Sequence, residues 1–178
     1  MKEWKIVQCS PPRSGGEGTG STVLFNILYG LICPDEPVEG SGTSVDKRGK
    51  ANDINKKIII THKCNIATWV SQLKMYDLYF ICSERGKNRI SPSYRGRDDV
   101  LIFQFKELNE TGAYTVEKIV DRVYEKVKNF LPSDVELDKD TAVKRILDMN
   151  NFYKNIKDKP FSYYDYFYHI HGSHRRKK

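Results

Sequence analysis

Trp4-Lys5-Ile6-Val7-Gln8-Cys9 leads into Ser10-Pro11-Pro12-Arg13-Ser14-Gly15-Gly16-Glu17-Gly18-Thr19-Gly20-Ser21-Thr22 and then Val23-Leu24-Phe25-Asn26-Ile27-Leu28-Tyr29. The order is strand, glycine-rich loop, helix. A helix start leaves backbone N–H groups without partners and carries partial positive charge, so it attracts phosphate. Glycines let the backbone wrap an anion, and Arg13 adds a full positive charge. Ser21 and Thr22 can cap the helix and donate hydroxyls to phosphate oxygens. The stretch predicts a phosphate-binding loop at the first β–α turn.

The rest of the chain repeats the alternation. Lys57-Ile58-Ile59-Ile60-Thr61-His62 is a β-branched run without polar alternation, as a strand covered on both faces requires. Ile66 to Tyr76 has helical spacing, with Ile66, Val70 and Leu73 on one face and Trp69 beside them. Leu78 to Cys82 and Val100 to Phe105 read as a third and a fourth strand. Thr115 to Leu131 is the clearest amphipathic helix, with Val116, Ile119, Val120, Val123, Val127 and Phe130 on one face, and Pro132 closes it. A further helix from Lys139 to Ile156 aligns Ala142, Ile146, Met149 and Tyr153. Pro34 to Lys57 is polar and rich in Gly, Ser, Asp and Lys, the composition of a surface loop. Phe161 to Tyr168 forms an aromatic tail, which packing against the sheet would explain better than stacking on a base.

Buried strands alternating with helices predict a single α/β domain of the P-loop type. It would have three layers, α/β/α, around a central parallel sheet of about four to five strands. Ligands then bind beyond the carboxyl ends of the strands. Three polar features fall at that rim: the glycine-rich loop, His62 after the second strand, and Arg85 after the third. No internal repeat or second domain is visible.

The 178 residues suffice for one domain with a real core, and the formal net charge of +7 suits an anionic ligand, a nucleic acid or an anionic surface. Part of that charge is the terminal Arg175-Arg176-Lys177-Lys178. Cys9, Cys33, Cys64 and Cys82 are spread without a Cys-x-x-Cys pair, which favours buried free thiols and a reducing compartment. There is no signal-peptide pattern and no apolar run long enough to cross a bilayer, so a cytoplasmic location without a membrane partner is expected.

Taken in order, these features resemble the sulfotransferases that use 3′-phosphoadenosine 5′-phosphosulfate (PAPS). Pro12-Arg13-Ser14-Gly15 is similar to the first half of that family's phosphosulfate loop, and Gly20-Ser21-Thr22-Val23-Leu24 to the second. Ile60-Thr61-His62 resembles the family's Lys-Thr-His strand end, with Ile for Lys. Arg85 and Ser93, with Ser91 as a near rival, have the spacing of the Arg and Ser that hold the 3′-phosphate. Gln104-Phe105-Lys106-Glu107-Leu108 looks like the later Arg-Tyr-Glu-Asp-Leu strand. Gly172-Ser173-His174-Arg175 resembles the basic segment that closes on the 3′-phosphate. The first loop is longer than the family pattern, and the segment between Arg85 and the fourth strand is short.

The resemblance implies PAPS as donor and PAP, its desulfated form, as product. It implies His62 as general base and Arg13 as the cation that stabilises charge on the bridging oxygen. It also implies a small-molecule or saccharide acceptor, and no metal. Sulfuryl transfer proceeds by in-line attack, with catalysis mostly by positioning and electrostatics. An acceptor hydroxyl or amine must lose its proton, and a histidine near neutrality suits that role. His169, His171 and His174 alternate without a Cys or carboxylate at zinc spacing, so no metal is expected from them either.

Two other functions stay open. Gly15-x4-Gly20-Ser21-Thr22 has Walker A spacing, with Ser21 where the Lys would stand, which leaves a P-loop kinase or NTPase. The basic charge leaves a nucleic-acid-binding module, although no base-stacking motif accompanies it.

Overall fold

The computed structural model describes residues 2–11, 19–32, 57–61, 65–109 and 115–155. Among these residues four strands form one sheet: β1 (Trp4–Cys9), β2 (Ile58–Thr61), β3 (Asp77–Glu84) and β4 (Val100–Gln104). Their order is β2-β1-β3-β4, and every pairing is parallel. Cys9 is level with Thr61 on one side and Cys82 on the other, and Cys82 is level with Ile102. All four carboxyl ends therefore share one edge of the sheet. This is the α/β architecture that the alternation of apolar runs predicts.

Among the described residues five α-helices accompany the strands: α1 (Ser21–Ile32), α2 (Ile66–Gln72), α3 (Phe105–Leu108), α4 (Val116–Phe130) and α5 (Lys139–Asn155). β2 and β3 flank β1 on opposite sides, so the crossovers through α1 and α2 run in opposite directions. Right-handed crossovers then put those helices on opposite faces. The core agrees. Ile6, Ile58, Ile81 and Phe103 pack with α1, α4 and α5, while Val7, Cys9, Ile59, Phe80 and Cys82 pack with Ile66, Trp69 and Leu73 of the α2 region. Alternation along β1 sends Ile6 and Val7 to different faces, as the two-residue period demands. Cys9 and Cys82 are buried free thiols. Cys33 and Cys64 lie outside the described residues.

α4 buries Val116, Ile119, Val120, Val123 and Val127, the stripe its 3.6-residue period predicts. Each of these side chains contributes about 1.5–3 kcal/mol of burial. Phe130 is half-buried and meets Tyr79 edge-on at 5.4 Å between ring centroids. α1 and α5 approach closely at Gly30, where a Cβ would lie 2.5 Å from the Ala142 Cα. Asp138 starts α5 as its cap: its carboxylate accepts from Thr141 N–H at 3.0 Å and from the Thr141 hydroxyl at 2.8 Å. Its own N–H donates to the Leu31 carbonyl at 2.9 Å, which joins the end of α1 to the start of α5.

Three sequence expectations shift. Val70 is 44% exposed, because Ile66, Trp69 and Leu73 alone make the stripe that reaches the sheet and Val70 falls at its margin. α2 ends at Gln72 rather than Tyr76, because a turn carries the chain to Asp77, whose N–H donates to the Glu3 carbonyl at 2.9 Å. β4 ends at Gln104 rather than Phe105, because a capping box between Gln104 and Glu107 starts α3 there. Ala142 and Ile146 are buried in α5 as expected. The side chains of Met149 and Tyr153 lie outside the described residues, as do 33–56 and the aromatic tail.

Candidate functional site

Strand order reverses its direction of growth between β1 and β3, and open parallel sheets bind ligands in the crevice at such a point. At this end of the sheet the chain buries small hydroxyls. The Ser83 hydroxyl lies 3.2 Å from that of Ser10 and 2.9 Å from that of Thr19, and all three residues are buried. Thr19 is thereby fixed to β3 just before the turn into α1.

That turn is Gly20-Ser21-Thr22. Gly20 has φ +83°, and its carbonyl accepts from Leu24 N–H at 3.0 Å to open the helix. A Cβ on Gly20 would sit 3.2 Å from Leu108 Cδ1 and 3.4 Å from Phe105 Cδ2, so the turn lies against α3. Two buried amides hold the next carbonyls: Gln8 Nε2 donates to Ser21 O and Asn26 Nδ2 to Thr22 O, both at 2.8 Å. Asn26 Oδ1 in turn accepts from Arg145 Nε of α5 at 3.0 Å, and that guanidinium lies 4.6 Å from the Tyr29 ring centroid.

Arg85 follows β3 directly. Its guanidinium stacks over the Phe105 ring, 4.0 Å from the centroid. The turn at Gly20, after β1, thus lies beside α3, whose Phe105 ring carries the Arg85 guanidinium from the end of β3. Arg85 and Asn88 exchange backbone hydrogen bonds at 3.1 and 2.8 Å around Gly86, whose φ of +56° suits a residue without a Cβ. A cleft of about 450 Å³ opens here. Its cations are Arg85, Arg89, Arg95 and Lys106, with Gln104 and Phe105 between them.

The floor of the cleft is Glu84, which is fully buried. Its carboxylate accepts from Arg95 at 2.7 and 2.6 Å, from Ile90 N–H at 3.0 Å and from Gln104 Nε2 at 3.1 Å. Further along the same loop Arg97 and Asp99 form a bidentate pair at 2.8 and 2.7 Å. The Arg97 hydrogen bond lowers the Asp99 pKa below the usual carboxylate value, and Asp99 raises that of Arg97.

Among the sequence-predicted residues, Gly20, Ser21, Thr22 and Arg85 come to one rim. Ser93 stands apart from the cleft lining. It is exposed on the 3-10 turn Pro92–Tyr94, with its hydroxyl 2.9 Å from that of Ser91. Arg13, Ser14, Gly15, His62, Gly172, Ser173, His174 and Arg175 lie outside the described residues. Sequence reasoning missed Phe105 as the ring that carries the Arg85 guanidinium, and it missed Glu84 as the centre of a network. An acid that ends an apolar run and is followed by four arginines between 85 and 97 was the available signal for the second. Among the described residues no group of three or more His, Cys, Asp or Glu side chains could hold a metal, and no helix is long and apolar enough to cross a membrane. No family model, curated protein or solved structure matches the chain.

Proposed function

We propose that the protein is a PAPS-dependent sulfotransferase, with PAP as the released product. The observation that carries this is that the Gly20 turn and the Arg85 guanidinium both lie against α3, at the point where the strand order reverses. A phosphate at the α1 N-terminus and a second phosphate at Arg85 then sit on one rim, as a nucleotide with separate 5′ and 3′ anions requires. In this reading the sheet belongs to a P-loop-type three-layer domain, and the chain works in the cytoplasm. Arg13 stabilises charge on the bridging oxygen as the sulfuryl group leaves. His62, next after β2, takes the proton from the acceptor hydroxyl or amine. The acceptor is a small molecule or saccharide.

A P-loop kinase or NTPase is less well supported. It needs a carboxylate at a strand end to hold magnesium, and the Glu84 carboxylate is already engaged by Arg95, Gln104 and Ile90. Titration calorimetry with PAP and with ATP tests the choice. PAP should bind more tightly, because only it carries the 3′-phosphate. Tighter binding of ATP would reject the sulfotransferase function.

A further inference from the structure

Glu84 is an odd residue to find beneath a cleft of cations that is meant for an anion. Its side chain has no exposure, whereas the Arg95 side chain it pairs with is 40% exposed at the rim. A buried carboxylate is tolerated only when its charge is paired and its lone pairs are filled. Here both conditions hold, and the partners come from three places. Ile90 N–H closes the turn that begins at Arg85, Arg95 closes the whole loop, and Gln104 ties it to the end of β4. Glu84 is also the immediate neighbour of Arg85. Its network therefore sets the backbone from which the Arg85 side chain reaches Phe105.

We propose that Glu84 is a positioning residue: through Arg95, Ile90 and Gln104 it fixes the 85–95 loop so that Arg85 faces the ligand's 3′-phosphate. The proposal rests on the sulfotransferase reading for the identity of that ligand. Arg95 neutralises Glu84, so the carboxylate shapes the cleft without opposing the anion. An ordinary structural tie would lower stability and nothing else. A positioning role predicts a loss confined to the 3′-phosphate.

The test compares PAP with adenosine 5′-phosphosulfate, which lacks the 3′-phosphate, in the full chain and in Glu84→Gln, Arg95→Met and Arg95→Lys. Wild type should prefer PAP. Glu84→Gln and Arg95→Met should lose about tenfold or more in PAP affinity, the scale of a charge-assisted contact, and change less than about twofold toward the other ligand. Arg95→Lys should recover part of the loss. Amide exchange at Asn88 and Ile90 should quicken in Glu84→Gln. If Glu84→Gln loses its cooperative thermal transition, Arg95→Lys, which keeps the charge, and Gln104→Leu carry the same comparison, since both side chains reach Glu84 from the cleft. Folded variants that keep the wild-type preference, or that lose both ligands equally, overturn the positioning role alone. A wild-type protein that does not prefer PAP overturns the sulfotransferase function, and this proposal with it.

Discussion

Arg85 stacks its guanidinium on an aromatic face at 4.0 Å, which fixes the plane of the fork. If that fork grips a 3′-phosphate, Arg85→Ala should weaken PAP by about 1.5–3 kcal/mol, the range for a hydrogen bond to a charged group. Adenosine 5′-phosphosulfate should lose much less. Equal losses in calorimetry for the two ligands would mean that Arg85 acts on the fold or on overall charge. His62 invites a different test. As general base, His62→Ala should slow sulfuryl transfer by about 10²–10⁴-fold, with PAP affinity almost unchanged. The acidic limb of the pH–rate profile should vanish with it, because protonating the imidazole removes the base. Wild-type turnover in the variant would exclude that role. At this scale the sequence placed Arg85 after the third strand, although that strand runs two residues beyond its apolar run, to Glu84. It did not show Phe105, because an aromatic at the end of an apolar run is equally consistent with core.

Elements were legible where one physical signal ruled. β2 is Ile58-Ile59-Ile60-Thr61, and no helix period competes with it. α4 carries its whole stripe in the sequence, and Thr115 caps it by accepting from Lys118 N–H at 3.4 Å. Short elements were harder. α3 is one turn long and exists because Gln104 and Glu107 satisfy each other's backbone groups, a reciprocal contact that periodicity does not register. α5 depends on its start as much as on its stripe. Asp138 accepts from Thr141 twice, and these bonds hold its carboxyl below the ordinary aspartate pKa. Asp138→Ala should therefore cost about 1 kcal/mol at neutral pH, as lost N-caps do. The sign of the pH dependence follows. A depressed folded pKa means that the stabilisation is complete above the unfolded value of about 3.9 and disappears as pH falls through the folded value. Urea midpoints of wild type and variant should differ at pH 7 and converge toward pH 3. A difference that stays constant would show that the carboxylate charge contributes nothing to the cap.

For the whole molecule, one topological fact does most to place the site. β1 lies between β2 and β3, so the chain leaves it in one direction and returns on the other side, and the turns after β1 and β3 face each other across a crevice. The sequence could announce a parallel sheet, because its strands lack polar alternation, but strand order is a long-range property that no local pattern encodes. Nor could it reveal that the turn at residue 20 and the side chain of residue 85 would both lie against α3. A ligand gripping both turns binds only the native arrangement, since unfolding separates them. It must therefore stabilise the fold by RT ln(1 + [L]/Kd), which is about 2.7 kcal/mol at a concentration of 100 Kd. For a chain of this size each kcal/mol moves the thermal midpoint by about 2–4 °C. PAP at that concentration should thus raise the midpoint by about 5–11 °C. ATP and GTP at the same concentration should raise it less, because neither places an anion at Arg85 while its 5′ phosphates occupy the α1 turn. The increment for PAP should also shrink in Arg85→Ala while the unliganded midpoint moves little, which separates binding from folding. Equal shifts for PAP and ATP in a thermal melt would show that the rim recognises phosphate without regard to the 3′ position, and the assignment of Arg85 would fall.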